Sequence, residues 1–203
     1  MSWRNERKYI VDFRQLNDVY SWIHQRAFVK TYPDRKVNNC YFDTINLDCF
    51  FENHDGQSNR RKYRLRWYGN TENWRTSIFE EKIKNNDVNR KQYHKIDSTK
   101  FQQFREFYDY PFFIKNNLIP TVINNYKREY FSISGTEIRL TIDQKLRYYY
   151  PKNDILEILP SAFFPKVIIE IKSNKMNDVS NLDFMFPLTK MGKYVDGVTR
   201  LYL

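Results

Sequence analysis

The stretch Arg60-Arg61-Lys62-Tyr63-Arg64-Leu65-Arg66-Trp67-Tyr68 constrains this chain more than any other. Side chains alternate across a β-strand, so Arg60, Lys62, Arg64 and Arg66 share one face while Tyr63, Leu65 and Trp67 share the other. Four cations in register, with no acid among them, repel one another and gain nothing from plain exposure to water. A polyanion relieves that repulsion. Three later stretches repeat the scheme. Glu80, Lys82 and Lys84 alternate with Phe79, Glu81 and Ile83; Arg139 and Thr141 with Ile138, Leu140 and Ile142; Glu170 and Lys172 with Ile169 and Ile171. Several strands with one charged face predict an α+β fold: a closed antiparallel barrel lined by charge, with its apolar faces packed outward against helices.

The 203 residues are read as one domain, 1–203, and 41% hydrophobic content with 18% aromatics supports a packed core rather than disorder. A formal net charge of +10 calls for an anionic partner. Nucleic acid, an acidic membrane surface, nucleotides and inorganic polyphosphate all meet that condition at this level. Cys40 and Cys49 have neither a CxxC nor a metal-ligand spacing, and are expected to be reduced thiols of a cytoplasmic protein. His24, His54 and His94 have no metal-site spacing either. The N-terminus lacks a signal-like apolar segment and no apolar run approaches the roughly eighteen residues of a membrane span. No direct membrane insertion is expected, and any membrane link would come from a partner protein. P-loop, GxSxG and HExxH signatures are absent.

Along the chain, Glu6 to Val11 reads as a strand and Phe13 to Phe28 as an amphipathic helix. Val37 to Phe42 is a short strand, Leu47 to Glu52 a short helix or strand, and Asn53 to Gly56 a turn. The basic strand follows, then a hairpin closing over Gly69 to Asn73, the Glu-Lys strand Ser77 to Lys84, and an ambiguous basic segment Val88 to Lys95. Ser98 to Phe107 has a helical pattern. Strands are predicted over Ile119 to Lys127, Tyr130 to Ile133, Thr136 to Ile142, Gln144 to Tyr150 and Val167 to Ser173, with Gly135 as a turn. Asn181 to Phe186 reads as a short helix.

With these residues laid out, the sequence resembles the VTC domain, the polyphosphate polymerase branch of the triphosphate tunnel metalloenzymes. Glu6-Arg7-Lys8-Tyr9, Tyr41-Phe42-Asp43-Thr44, Tyr63-Arg64-Leu65-Arg66-Trp67-Tyr68-Gly69 and Glu80-Glu81-Lys82 match family motifs in the family's order. Tyr126-Lys127-Arg128 with Phe131, Arg139-Leu140-Thr141-Ile142-Asp143, Ile169-Glu170-Ile171-Lys172, and Lys190 with Lys193-Tyr194 and Gly197 complete the series. The resemblance implies an eight-stranded antiparallel tunnel that binds triphosphate. By it, Arg64, Arg66, Lys82, Arg139 and Lys172 would be catalytic; Lys8, Lys62, Lys91, Arg128, Lys190 and Lys193 would contact phosphates. Glu170 would hold a divalent metal, Mn²⁺ or Mg²⁺, with Glu6 and Glu80 as further tunnel carboxylates. ATP and inorganic polyphosphate or triphosphate are the implied ligands. Met191-Gly192 departs from the family's usual pair before the last Lys-Tyr. The tunnel domain is expected alone, without an SPX-like module or membrane helices.

The implied activity is transfer of the ATP γ-phosphate onto a growing polyphosphate chain, which needs positioning and charge neutralisation more than covalent help. Two alternatives compete. A triphosphatase on the same fold needs an activated water and a carboxylate-rich metal cluster. Arg4 stands here where the wider superfamily's first Glu would be, and cations outnumber acids. A non-catalytic polyphosphate- or nucleic-acid-binding module is the other. The aromatics alternate away from the cations, which argues against base stacking, so no sequence-specific nucleic acid is expected.

Overall fold

The computed structural model describes residues 5–86, 88–102, 104–151, 161–173 and 182–203. Nine strands form one sheet in the hydrogen-bonded order β1-β9-β7-β6-β2-β3-β4-β5, with β8 paired to β7. These are β1 (Asn5–Asp12), β2 (Phe28–Asp43), β3 (Asn59–Tyr68), β4 (Ile78–Asn85), β5 (Val88–His94), β6 (Ile119–Ile133), β7 (Arg139–Tyr149), β8 (Ala162–Phe163) and β9 (Lys166–Ser173). The helices are α1 (Leu16–Gln25), α2 (Asp48–His54), α3 (Pro111–Lys115) and α4 (Lys193–Tyr202).

The expected closed eight-stranded barrel is corrected on both counts. Among the described residues the sheet has nine strands and is not closed: β1 and β5 end the order and do not pair. Period two reveals which face of a strand is charged, but closure requires hydrogen bonds between the two edge strands, which alternation does not encode. Besides β9, β1 meets an isolated antiparallel bridge, Tyr9 with Leu188.

The chain divides into two compact units. The first comprises Met1–Arg35, Tyr126–Leu146 and Phe164–Met191. Its core joins Tyr9 and Val11 of β1, Leu140 and Ile142 of β7, and Val167, Ile169 and Ile171 of β9 to α1. Helix α1 contributes Leu16, Val19, Trp22 and Ile23, the i, i+3, i+6, i+7 spacing of one helical face. Asp12 accepts the Arg14 N–H at 3.0 Å and starts the single 3₁₀ turn that leads into this helix. The apolar faces read from the sequence therefore pack as expected.

The second unit comprises Lys36–Asn125, Arg147–Phe163 and Gly192–Leu203. The apolar face of β3 and β4 buries Tyr63, Leu65, Trp67 and Phe79. Phe113 of α3 stacks on Phe42 at 4.6 Å and meets Phe79 edge-on at 5.1 Å, where aromatic contacts add to area burial. Several local expectations change. Residues 28–36 extend β2 although their polar sequence, interrupted by Pro33, shows no alternation. The two strands expected around Tyr126 are one strand, β6, and the basic segment is β5. Ser98 to Phe107 forms two 3₁₀ turns, Ser98–Lys100 and Phe104–Asp109, in keeping with its threefold phenylalanine spacing. Asn181 lies outside the described residues, and Leu182 to Phe186 is not helical; Leu182 and Phe184 bury alternate side chains instead.

Helix α4 went unread in the sequence, although Tyr194, Gly197, Val198 and Leu201 have helical spacing and are all buried. Its anchor is Asp43. The Asp43 carboxylate accepts the backbone N–H groups of Thr44, Cys49 and Phe50, each at 2.8 Å, and the hydroxyl of Tyr194. Burial and the Asp43 charge hold the Tyr194 hydroxyl above its ordinary range, so it remains a donor. Gly197 lets α4 approach closely: a Cβ there would lie 2.8 Å from Val122 Cγ1 and 2.9 Å from the Tyr148 ring. Both neighbours are fully buried. Gly197→Ala should therefore destabilise the protein by about 1–2 kcal/mol, overpacking outweighing the better helix propensity of alanine. Thermal unfolding should show a Tm lower by roughly 2–8 °C; an unchanged or higher Tm would contradict the close packing.

Candidate phosphate-binding site

Antiparallel register decides which charges become neighbours. In the second unit, Lys62 of β3 lies opposite Lys82 of β4, and Lys82 lies opposite Lys91 of β5. The next row is Arg64, Glu80 and Tyr93, and the next pairs Arg66 with Ile78. These three rows hold five cations and one carboxylate. Like charges directly opposite are destabilising, so Glu80 matters. Its buried carboxylate accepts the Arg64 Nε at 2.6 Å, and Lys91 Nζ sits 2.6 Å from its other oxygen. Burial opposes ionisation of Glu80, but Arg64, Arg66 and Lys91 outweigh it and hold the carboxyl at about 2.

Arg66 is held differently. Its Nε donates to Asn39 Oδ1 at 2.9 Å, and Asn39 Nδ2 donates to Asn124 Oδ1 at 2.8 Å. A guanidinium can only donate, so Asn39 must turn its oxygen to Arg66, which fixes the orientation of both amides. Among the described residues Arg66 has no other hydrogen bond or ion pair. Its terminal nitrogens keep the planar fork that suits phosphate oxygens. Helix α4 brings Lys193 to the same unit, and a Cβ on Gly192 would lie 3.5 Å from Lys62 Nζ.

In the first unit, Lys8 lies opposite Glu170 and Glu6 opposite Lys172, while β7 places Thr141 opposite Glu170 and Arg139 opposite Lys172. Lys8 Nζ is 3.0 Å from Glu6 and 3.6 Å from Glu170; Lys172 Nζ is 2.7 Å from Glu170 and 3.5 Å from Glu6. Arg128 grips the fully buried Asp143 with two parallel bonds of 2.5 and 2.6 Å and stands 3.9 Å from Glu170. Despite its burial, Asp143 and Glu170 hold the Arg128 guanidinium firmly charged. Lys190 is exposed, one residue after the Thr189 N–H that bonds the Lys8 carbonyl at 2.9 Å. The structure thus gathers Glu6, Lys8, Arg128, Arg139, Glu170 and Lys172 on one unit, and Lys62, Arg64, Arg66, Glu80, Lys82 and Lys91 on the other. Arg4 lies outside the described residues.

Among the described residues there is no cluster of three or more His, Cys, Asp and Glu side chains that could hold a metal ion. The donor chemistry around Glu170 nevertheless fits a hard divalent ion completed by phosphate and water. Carboxylate oxygens of Glu170 and Glu6 share the same lysines, and the buried Thr141 hydroxyl opposite Glu170 has no partner among the described residues.

The sequence reading missed Asn39, Asn124 and Asp143. Asp143 closes the Arg-Leu-Thr-Ile-Asp motif and stands one alternation step beyond Thr141, a signal that could have found it. Nothing local marks the asparagines. The expectation that aromatics avoid the cation face also needs correction, because Tyr68 and Tyr93 share it.

Fold and faces together define the class: an α+β protein whose antiparallel sheet presents fixed arrays of cations. The VTC domain family model matches residues 3–202, and the chain belongs to that family. No curated protein sequence matches it. Among solved structures, PH1819 of Pyrococcus horikoshii shares 9% identity over 97% of this chain and 99% of its own, with a TM-score of 0.54. PH1012 of the same organism shares 10% over 96% and 98%, also at 0.54. A Bacillus halodurans protein described as a proposed adenylate cyclase shares 14% over the whole of both chains at 0.50. These likenesses establish the fold.

Glu80 supplies a pH test. Its carboxyl is depressed from 4.5 to about 2, so the stability it contributes is present above about 4.5 and is lost as pH falls toward 2. That contribution is worth about 3 kcal/mol. Urea denaturation of Glu80→Gln should show a lower stability at pH 7 and a shallower loss of stability between pH 4.5 and 2 than the parent. Identical pH slopes in the two proteins would show that Glu80 is not held by its cations.

Proposed function

We propose that this protein is a polyphosphate polymerase, transferring the γ-phosphate of ATP onto the end of an inorganic polyphosphate chain in a metal-dependent reaction. The observation that carries this reading is the row of directly opposed lysines, Lys62, Lys82 and Lys91, beside the Arg66 fork, which Asn39 braces at Nε. A row of opposed cations on one face suits a linear polyanion. Membership of the VTC family supports a triphosphate- or polyphosphate-related activity.

In this mechanism an oxygen of the terminal phosphate of the chain attacks the ATP γ-phosphorus in line. The new P–O bond forms as the bond to the β-phosphate oxygen breaks, and ADP leaves with the electron pair. On the second unit Lys62, Lys82, Lys91 and Lys193 hold phosphates; on the first, Lys8, Arg128, Arg139, Lys172 and Lys190 are anion contacts. The Arg66 fork orients the transferred group and takes up charge on its equatorial oxygens, while Arg64, fastened to Glu80, is a strut that holds the row in place. Glu170, with Glu6, would hold Mn²⁺ or Mg²⁺, which neutralises phosphate charge when bound. No side-chain nucleophile is needed.

Incubation with ATP and Mn²⁺, followed by gel staining for polyphosphate and assays for ADP and free phosphate, tests the reading. ADP with long polymer is the expected result. Free phosphate without polymer would make the protein a triphosphatase, and no turnover with tight polyphosphate binding would make it a binding module. Arg66→Lys keeps the charge and removes the fork, so kcat should fall at least about tenfold, or roughly 1.4 kcal/mol of transition-state stabilisation. Binding of preformed polyphosphate should change far less, and near-parental turnover would refute a positioned guanidinium. Glu170→Gln should abolish turnover while leaving polyphosphate binding intact or tighter, with circular dichroism confirming the fold. Full Mn²⁺-dependent activity in that variant would return Glu170 to charge balancing.

A further inference from the structure

The cation face of the second unit changes character along its strands. Beyond the lysine row, Tyr93 replaces a cation opposite Glu80, Ile78 stands opposite Arg66, and Tyr68 follows Arg66 on the same face of β3. All three side chains are open to solvent: Tyr93 is 60% exposed, Ile78 51% and Tyr68 43%. Ile78 is the diagonal cross-strand neighbour of both tyrosines, a separation of roughly 7–8 Å that large side chains span. The opposite face, with Tyr63, Leu65, Trp67 and Phe79, is where this sheet buries its apolar residues. An apolar group exposed among cations is therefore not spillover from the core. Lys91 ties it to the phosphate row, its Nζ donating to the Tyr93 hydroxyl at 2.8 Å and lying 4.4 Å from the ring centroid.

We infer that Tyr68, Ile78 and Tyr93 form a ledge for the base of a nucleoside triphosphate whose phosphates run along the same face toward Lys62, Lys82 and Lys91. This inference rests on reading that face as a triphosphate site, and it adds where the nucleoside lies. Charge complementarity selects the occupant. Inorganic polyphosphate has no part that gains from an apolar ledge, and single-stranded nucleic acid would need aromatic platforms repeated among the cations. A nucleoside triphosphate has one flat uncharged ring at one end and concentrated negative charge at the other. From Ile78 to Lys82 is four residues of strand, about 13 Å, the scale of such a ligand extended. Stacking on an aromatic and aliphatic ledge depends little on which base is presented, so discrimination among bases is weak while discrimination against inorganic triphosphate is strong.

Calorimetric titration with a non-hydrolysable ATP analogue and, separately, with inorganic tripolyphosphate tests this. Tyr93→Ala should weaken the nucleotide analogue about tenfold and leave tripolyphosphate unchanged, while Tyr93→Phe, which keeps the ring, should match the parent for both. Ile78→Ser should weaken the nucleotide alone. Equal weakening of both ligands in Tyr93→Ala would mean that the tyrosine acts through Lys91, and would overturn the ledge. Unchanged nucleotide affinity in Tyr93→Ala and Ile78→Ser would overturn it while leaving the triphosphate site standing. A parent protein that binds neither ligand would defeat the triphosphate reading and the ledge together.

Discussion

Antiparallel pairing puts directly opposite side chains on the same face about 5 Å apart, and in this protein those positions hold like charges. Lys62, Lys82 and Lys91 are the clearest case. The sheet tolerates the arrangement because a few carboxylates are placed beside the cations. Glu80 takes Arg64 and Lys91, Glu170 takes Lys8 and Lys172, and Asp143 takes Arg128. Desolvation offsets part of the attraction in buried ion pairs of this kind. They also contribute position. Each shared carboxylate fixes long, entropically costly side chains before any ligand arrives, and leaves the surface of the second unit positive overall.

Two arginines of one short motif are used in different ways. Arg64 and Arg66 are two residues apart on the same face, and their chemistry is identical. Arg64 gives its nitrogens to a carboxylate, which neutralises much of its field and makes it a strut. Arg66 is braced by a neutral amide, itself held by a second amide, and meets the Glu80 charge only through space. An ordered guanidinium without a direct ion pair suits an anion that completes it.

The turn aspartate shows how a local motif acts at a distance in sequence. Asp43 satisfies the first N–H groups of α2, which have no partner within the helix, and holds α4 through Tyr194. Helix α4 in turn depends on Gly197 for its close approach to Val122 and Tyr148. The position of Lys193 is therefore set by a hydrogen-bond network and a missing Cβ rather than by any charge near it.

The sequence by itself determined the α+β class, the charged and apolar faces of β3, β4, β7 and β9, and the family, because a period of two and short ordered motifs are properties of the chain alone. It also marked most of the cations as candidates for anion contact. Only the tertiary structure decided which cations are neutralised and which are not. Register between strands sets that, and register depends on partners far along the chain: Asn39 and Asn124 around Arg66, Glu170 beside Lys8. The long exposed part of β2 was illegible because it has no apolar alternation to read. Helix α4 has a readable spacing, but its placement was not, since Asp43, which holds it, is roughly 150 residues away. The open edges of the sheet belong here as well, since whether β1 and β5 meet is a property of accumulated twist and pairing, not of either strand's own residues.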